Sequence, residues 1–228
     1  MDLYERLSLV IGNNNIEKLR KKKIVLIGLG GVGGSCFETL IRSGILNIVV
    51  CDYDAFDETN LNRQILSNLE NIGKLKTDVS KKFANNINKD ANVICYNEKL
   101  TSDNIENIIS LDTDYIIDAC DDINAKITII KYAINNNIKI ISSMGTANKL
   151  DPSKLEITDI WKTNYDPLAK KIRSILRKEG VNYKLPVVSS KEESIKNGAL
   201  LGSYAPVCNT AGIFLATYVL NDIIKSKD

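Results

Sequence analysis

Residues 23–54 read KIVLIGLGGVGGSCFETLIRSGILNIVVCDYD. Residues 24–27 are a short apolar, β-branched run with the length of one buried strand. Gly28, Gly30 and Gly33 then spell G-x-G-x-x-G, with Gly31 and Gly34 as extra glycines. Residues 38–42 continue as a helix, and 45–51 give a second apolar strand. Asp52 closes that strand, where a nucleotide-binding βαβ unit carries an acid about 20 residues beyond its glycines. A glycine turn lets backbone N–H groups approach a phosphate, and the helix dipole turns its positive end to the same anion. Asp52 can then accept hydrogen bonds from ribose hydroxyls. A glycine turn alone can also be an unliganded tight connection. Strand, turn, helix, strand and acid in that order favour a nucleotide, without saying which.

The 228 residues fit one large domain, or one domain with an appended piece. A hydrophobic share of 44% and a charged share of 25% are ordinary for a globular protein. The apolar runs are short for a membrane span; the longest, 213–224, is interrupted by Asn221 and Asp222. No signal peptide opens the chain, so a cytoplasmic location is expected. The five cysteines (Cys36, Cys51, Cys95, Cys120 and Cys208) include no C-x-x-C pair and are odd in number, which argues against a disulfide framework and a zinc ribbon. Histidine is absent. That removes Ser–His and Cys–His nucleophile pairs and histidine metal sites, and leaves phosphate, carboxylate, Arg, Lys and backbone as the reactive groups.

Before the first strand, Leu3, Leu7, Val10 and Ile11 are spaced for one helical face. The run Lys18, Arg20, Lys21, Lys22, Lys23 reads as a solvated helix end rather than a nucleic-acid patch. Beyond Asp52 the pattern predicts a helix over 77–87 with Thr77 as a candidate cap, and a strand over 93–96. A helix over 101–110 capped by Thr101 and a strand over 115–120 follow. A helix over 125–135 and a strand over 138–144, stopped by Gly145, complete the series. Such alternation defines an α/β fold: a Rossmann-like, mostly parallel sheet with helices on both faces. Ligands of such sheets sit outside the carboxyl ends of the strands. Gly30, Asp52 and Asp121 occupy those ends, and Asn60, Arg63 and Lys76 lie in the connections. The set suits a triphosphate, with Arg63 and Lys76 for phosphoryl charge and Asp121 for Mg²⁺. A hydride-transfer enzyme has no need of these cations.

Residues 1–146 would form this main unit, and 147–228 a smaller C-terminal β/α extension that completes the sheet. In the extension, 155–160 reads as a strand, and Asp166 caps a helix with Pro167 at its first position. Leu168, Ile172, Ile175 and Leu176 make the apolar stripe of that helix, while Lys170, Arg173 and Arg177 share another face. Between 161 and 191, eight Lys or Arg face two acids, a balance of +6 in a chain of net charge +2. That asymmetry favours a polyanionic partner, the plainer alternative being a solvated helix.

The series GLGGVGG, CDYD, TNLNRQ, IGKLK and DACDD, in this order and spacing, resembles the adenylating superfamily that includes ubiquitin-activating enzymes and their bacterial relatives. The resemblance implies ATP as co-substrate. Gly28, Gly30, Gly31 and Gly33 would bind ATP, with Gly30 and Gly31 approaching the phosphates, and Asp52 would hold the ribose. Asn60, Arg63 and Lys76 would contact phosphates, and Asp121 would hold Mg²⁺. It further implies a homodimer in which Arg6 reaches into the partner's site. No C-x-x-C pair and no cysteine between Gly145 and Val207 are present, so zinc-bearing and thioester-forming members are poor matches. Cys208 reads as packing.

The phrases D-P-x-x-L-x-x-T-D, K-T, D-P-L-A-x-K and V-S-S-x-E, with Glu38 and Arg42-Ser43-Gly44, resemble the branch that dehydrates threonylcarbamoyladenosine in tRNA. The stretch 191–198 is shorter than that branch leads one to expect. The resemblance implies adenylation of the threonine carboxylate next to the anticodon, then attack by the neighbouring ureido group to close a ring. Lys170, Arg173 and Arg177 would meet the tRNA backbone. It leaves open a bound monovalent cation and a sulfur relay with a cysteine desulfurase. Two other readings stay in play: an adenylating enzyme or sulfur acceptor serving a ubiquitin-like carrier protein, and a non-catalytic nucleotide-binding dimer.

Overall fold

The computed structural model describes residues 3–195 and 201–226. Seven strands form one sheet: β1 (Lys23–Ile27), β2 (Asn47–Cys51), β3 (Asn92–Tyr96), β4 (Tyr115–Asp118), β5 (Lys139–Ser143), β6 (Leu155–Asp159) and β7 (Pro186–Ser190). Their order is β3-β2-β1-β4-β5-β7-β6, with every pairing parallel except β6 with β7. The apolar runs of β1 and β4 are buried because helices cover both faces. Leu19, Phe37, Val79, Leu215 and Val219 pack on one side with Ile24, Leu26 and Val50 of the strands. Ile105, Ile129 and Ile172 pack on the other with Val25, Ile27 and Val49.

Among the described residues the helices are α1 (Glu5–Ile11), α2 (Asn13–Lys21), α3 (Gly31–Arg42), α4 (Lys76–Ile87), α5 (Ile105–Ile108), α6 (Ile123–Asn135), α7 (Pro167–Lys178) and α8 (Ala205–Lys225). Strand order reverses between β1 and β4, so the cleft of a doubly wound sheet opens at their carboxyl ends, where Gly28 and Asp121 follow. β7 pairs with β5, so the second stretch continues the sheet of the first. α8 lies against α3 so closely that a Cβ on Gly212 would stand 2.2 Å from the Val32 carbonyl oxygen. α8 is long and apolar enough to cross a membrane by length and composition, longer than the 213–224 run read from the sequence. Its side chains Val207, Ala211, Leu215 and Val219 are nonetheless buried in the core.

Several local readings need correction. The helix after the glycine turn, α3, starts at Gly31, not at residue 38, so it takes in Gly31, Gly33 and Gly34. The N-terminal segment breaks at Gly12, whose φ is +81°, into α1 and α2, leaving Leu3 and Val10 exposed instead of on a buried stripe. Thr77 lies inside α4 and bonds Asn97, so it is not the cap. The helix expected over 101–110 shrinks to one turn, because the Asn104 side chain accepts from the Thr101 N–H at 2.7 Å and holds the backbone in a turn. Lys22 and Lys23 pair with Asp114 and Asp112 at 2.9 and 2.8 Å, so the basic run is partly neutralised. The short stretch 191–198 falls partly outside the described residues.

Candidate active site

The glycine turn is shaped by close backbone approach. Gly28 has φ +92°, and a Cβ on it would lie 2.8 Å from the Ala119 carbonyl oxygen. A Cβ on Gly33 would strike the Gly28 carbonyl oxygen at 1.9 Å. A Cβ added to Gly30, by contrast, would meet nothing within 4 Å, so that side of its backbone faces open space. Asp52 ties the turn to the end of β2: its Oδ2 accepts from the Leu29 N–H at 2.6 Å and its Oδ1 from the Asp54 N–H at 2.8 Å. Burial pushes the Asp52 carboxyl above the usual aspartate value, against the opposing pull of Lys76 and those two N–H groups.

Lys76 begins α4 and is only 4% exposed. Its Nζ donates to Asp54 Oδ2 at 2.8 Å and lies 3.9 Å from Asp52 Oδ1. Asn60 is buried in a short 3-10 turn that Asp57 caps, and its Oδ1 accepts from the Asp57 N–H at 3.3 Å. Arg63 braces its guanidinium on the Thr59 carbonyl at 2.7 Å and on Asn62 Oδ1 at 2.8 Å. Asn209 of α8, with its amide nitrogen turned toward its acceptors, donates to the Arg63 carbonyl at 3.0 Å and the Gly31 carbonyl at 3.1 Å. One side chain thus couples the last helix to both phosphate-side elements.

These groups line a cleft of about 1300 Å³. Gly28, Gly30, Gly31, Asp52, Asn60, Arg63, Lys76 and Asp121 all contribute to its wall. Gly33 sits beneath it, buried in the first turn of α3. Asp121 is exposed, and no ion pair engages it among the described residues. Its neighbour Asp122 caps α6 through the Ala125 N–H and pairs with Lys99 at 2.7 Å. Arg6 is exposed on α1 and is not among the residues lining the cleft of its own chain.

The cleft is also lined by Thr146 and, from the C-terminal stretch, by Lys149, Tyr165, Lys170 and Arg173. Asp166 caps α7 through the Ala169 N–H at 2.9 Å, as its position before Pro167 led one to expect. The three cations of α7 differ in environment. Lys170 is exposed. Arg173 donates to the carbonyls of Ile160 and Thr163 at 3.1 and 3.2 Å, and Arg177 stacks 5.3 Å from the Trp161 ring centroid. Cys208 is buried, as its reading as packing led one to expect, and it also lines the cleft, 3.7 Å from Thr146 Oγ1 with its Cβ against Gly31. Burial, then the charges of Asp52 and Glu98, push the Cys51 thiol up to about 12. Burial first, and Asp118 next, also raise Cys120. Both therefore stay protonated at neutral pH, the unreactive form of a thiol.

Below the Asp121 turn lies a buried ion pair that reading the sequence missed. Lys126 of α6 and Asp118 of β4 are both fully buried and 2.9 Å apart. The Lys126 Nζ also donates to Ser142 Oγ at 3.2 Å and the Ser143 carbonyl at 2.7 Å. Asp118 further accepts from Ser142 Oγ at 2.6 Å and from the Cys120 N–H at 3.2 Å. The pair thus joins the carboxyl ends of β4 and β5 and fixes the start of the turn that carries Asp121.

A parallel sheet with a glycine turn at its switch point, an acid beyond the next strand and cations on the facing loops defines a Rossmann-like nucleotide-binding protein. The family model described as "ThiF family" matches residues 4–228, and the chain belongs to that family. It is 35% identical to the tRNA threonylcarbamoyladenosine dehydratase of Bacillus subtilis, over 97% of this chain and 94% of that protein. It is 33% identical to the Escherichia coli protein of the same name, over 74% of this chain and 63% of that one. The crystal structure of E. coli TcdA in complex with ATP superposes with a TM-score of 0.92 at 30% identity, covering 97% of this chain and 93% of that one.

Proposed function

We propose that the chain is an ATP-dependent tRNA threonylcarbamoyladenosine dehydratase. The observation that carries this reading is one cleft that the glycine turn, Arg63 and Lys76 share with Lys149, Tyr165, Lys170 and Arg173 of residues 147–228. ATP places its ribose on Asp52 and its phosphates at Gly30 and Gly31, with Asn60, Arg63 and Lys76 around them. Lys76, held by Asp54 and near Asp52, is pre-positioned and desolvated, so its charge acts strongly on phosphate. Asp121 is an exposed carboxylate of the cleft lining, without an ion pair among the described residues. No cluster of three or more potential metal ligands exists among the described residues, which fits Mg²⁺ held by one carboxylate plus phosphates. That ion, when bound, neutralises phosphate charge.

The threonine carboxylate of the modified adenosine attacks the α-phosphate and releases pyrophosphate. The neighbouring ureido group then attacks the acyl adenylate, closes the ring and expels AMP. The second step is intramolecular, so orientation is the main requirement, and neither histidine nor a reactive thiol is needed. Lys170, Arg173 and Arg177 serve the tRNA backbone, Lys170 most directly because it is exposed at the cleft. The protein acts as a homodimer in the cytoplasm, with Arg6 entering the partner's cleft. Its exposure on α1, beside Leu9 and Val10 at 85% and 82% exposure, supports that arrangement. A sulfur relay and a monovalent cation have no feature here to support them. The test is AMP formation from ATP with tRNA that carries threonylcarbamoyladenosine, against the same tRNA without the modification. Only the modified tRNA should release AMP; equal release from both would refute the reading.

A further inference from the structure

Tyr165 is an anomaly in this cleft. Its φ is +53°, in the left-handed region where a bulky side chain is strained. Its ring is 62% exposed, lines the cleft and makes no hydrogen bond among the described residues. The strain persists because both flanks are locked. Arg173 clamps Thr163 by its carbonyl, its hydroxyl and the Ile160 carbonyl. Asp166 receives the N–H groups of Gly145 and Ala169, each at 2.9 Å, and the Ser189 hydroxyl at 3.3 Å. Residues so over-determined in a sparse region of backbone space gather at functional sites. Around Tyr165, Lys162, Lys170 and Lys171 are exposed, in a stretch of balance +6.

We infer that Tyr165 is a stacking platform for an unpaired base of the RNA substrate, with Lys170 taking an adjacent phosphate. This rests on the tRNA reading above and adds a named base-binding residue to it. An RNA loop is recognised by splaying its bases onto aromatic faces, while lysines neutralise the backbone. An exposed aromatic side chain in the cleft lining, with the exposed Lys170 in the same lining, meets both needs. The nucleotide to be modified must leave its loop stack to reach the phosphate turn. A base stacked on Tyr165 would hold the strand open at the cleft entrance.

The experiment uses the full-length protein and a synthetic anticodon stem-loop carrying threonylcarbamoyladenosine, with 2-aminopurine as the next base. Binding is read by fluorescence. Tyr165→Leu should weaken binding between about 5-fold and 150-fold, the range for loss of one stacked base. Tyr165→Phe should bind within about 3-fold of wild type, since only the hydroxyl is lost. The salt slope should stay unchanged in both, whereas Lys170→Ala should flatten it by about one unit. Tyr165→Gly, which relieves the strained φ, should keep or raise the Tm while losing affinity as Leu does, separating binding from folding. Wild-type affinity in Tyr165→Leu, or equal losses in Leu and Phe, would overturn the inference. Stem-loop binding that depends on the ring, but without turnover of whole tRNA, would refute the dehydratase reading and leave the stacking site standing. Turnover with an unaffected Leu variant would do the reverse.

Discussion

Replacing Lys126 by Met tests the buried ion pair beneath the site. Lys126→Met keeps nearly the same length and volume but removes the charge and three donors. Asp118 would be left fully buried, with Ser142 Oγ, the Cys120 N–H and the Cys120 Sγ as its remaining neutral donors. Breaking one side of a buried pair costs about 3–5 kcal/mol, because an uncompensated charge stays in low dielectric. At about 2–4 °C per kcal/mol for a domain of this size, the Tm should fall by roughly 6–20 °C. Urea unfolding supplies the free energy directly. The double variant Lys126→Met, Asp118→Asn removes both charges and should lose less than the sum of the two single losses, by a coupling of up to about 3 kcal/mol. A single-variant loss under about 1 kcal/mol, or simple additivity in the double variant, would refute the claim that this pair holds the ends of β4 and β5.

Three further outcomes follow from the site. Asp52 has a raised folded pKa, so the native state keeps its proton over a window where the unfolded chain has lost it. Its contribution to stability therefore falls as pH rises from the ordinary aspartate value through the folded one. ATP binding should run the opposite way, weakening on acidification through that window; in Asp52→Asn, titration calorimetry should find weak binding without this pH dependence. Arg6→Ala and Asp121→Ala, each inactive alone, should regain activity after subunit exchange, since one site of the mixed dimer keeps both residues. No rescue with exchange verified would count against Arg6 acting in trans. Cys208→Ser should fold and keep most of its turnover although the thiol lines the cleft, because the reaction uses no sulfur; a folded variant with none would turn the account toward sulfur chemistry.

The parts of this fold that were legible in the sequence are those written locally. The G-x-G-x-x-G turn and Asp52 announce themselves because glycine is demanded within one βαβ unit, where a Cβ on Gly33 would lie 1.9 Å from the Gly28 carbonyl oxygen. The Asp166–Pro167 helix start is equally local. Partnerships across the chain are not. Lys126 looks like any polar helix residue until Ser142 and Ser143 on β5 surround it, sixteen and seventeen residues away. Asp54 holds Lys76 across 22 residues, and nothing near Lys76 names that partner. β7 was quoted only as the V-S-S-x-E phrase, although its Val-Val pair beside Pro186 carries a strand signal. Thr101 and Asn104 compete for one turn, and the sequence alone does not say that the asparagine wins.

The most direct test of the whole account is mass spectrometry of the nucleosides from tRNA incubated with the protein, ATP and Mg²⁺. The account predicts that threonylcarbamoyladenosine disappears and that a nucleoside lighter by one water takes its place, with AMP formed in equal amount. Unchanged threonylcarbamoyladenosine, from a protein shown in the same tube to be folded and to bind ATP, would contradict it.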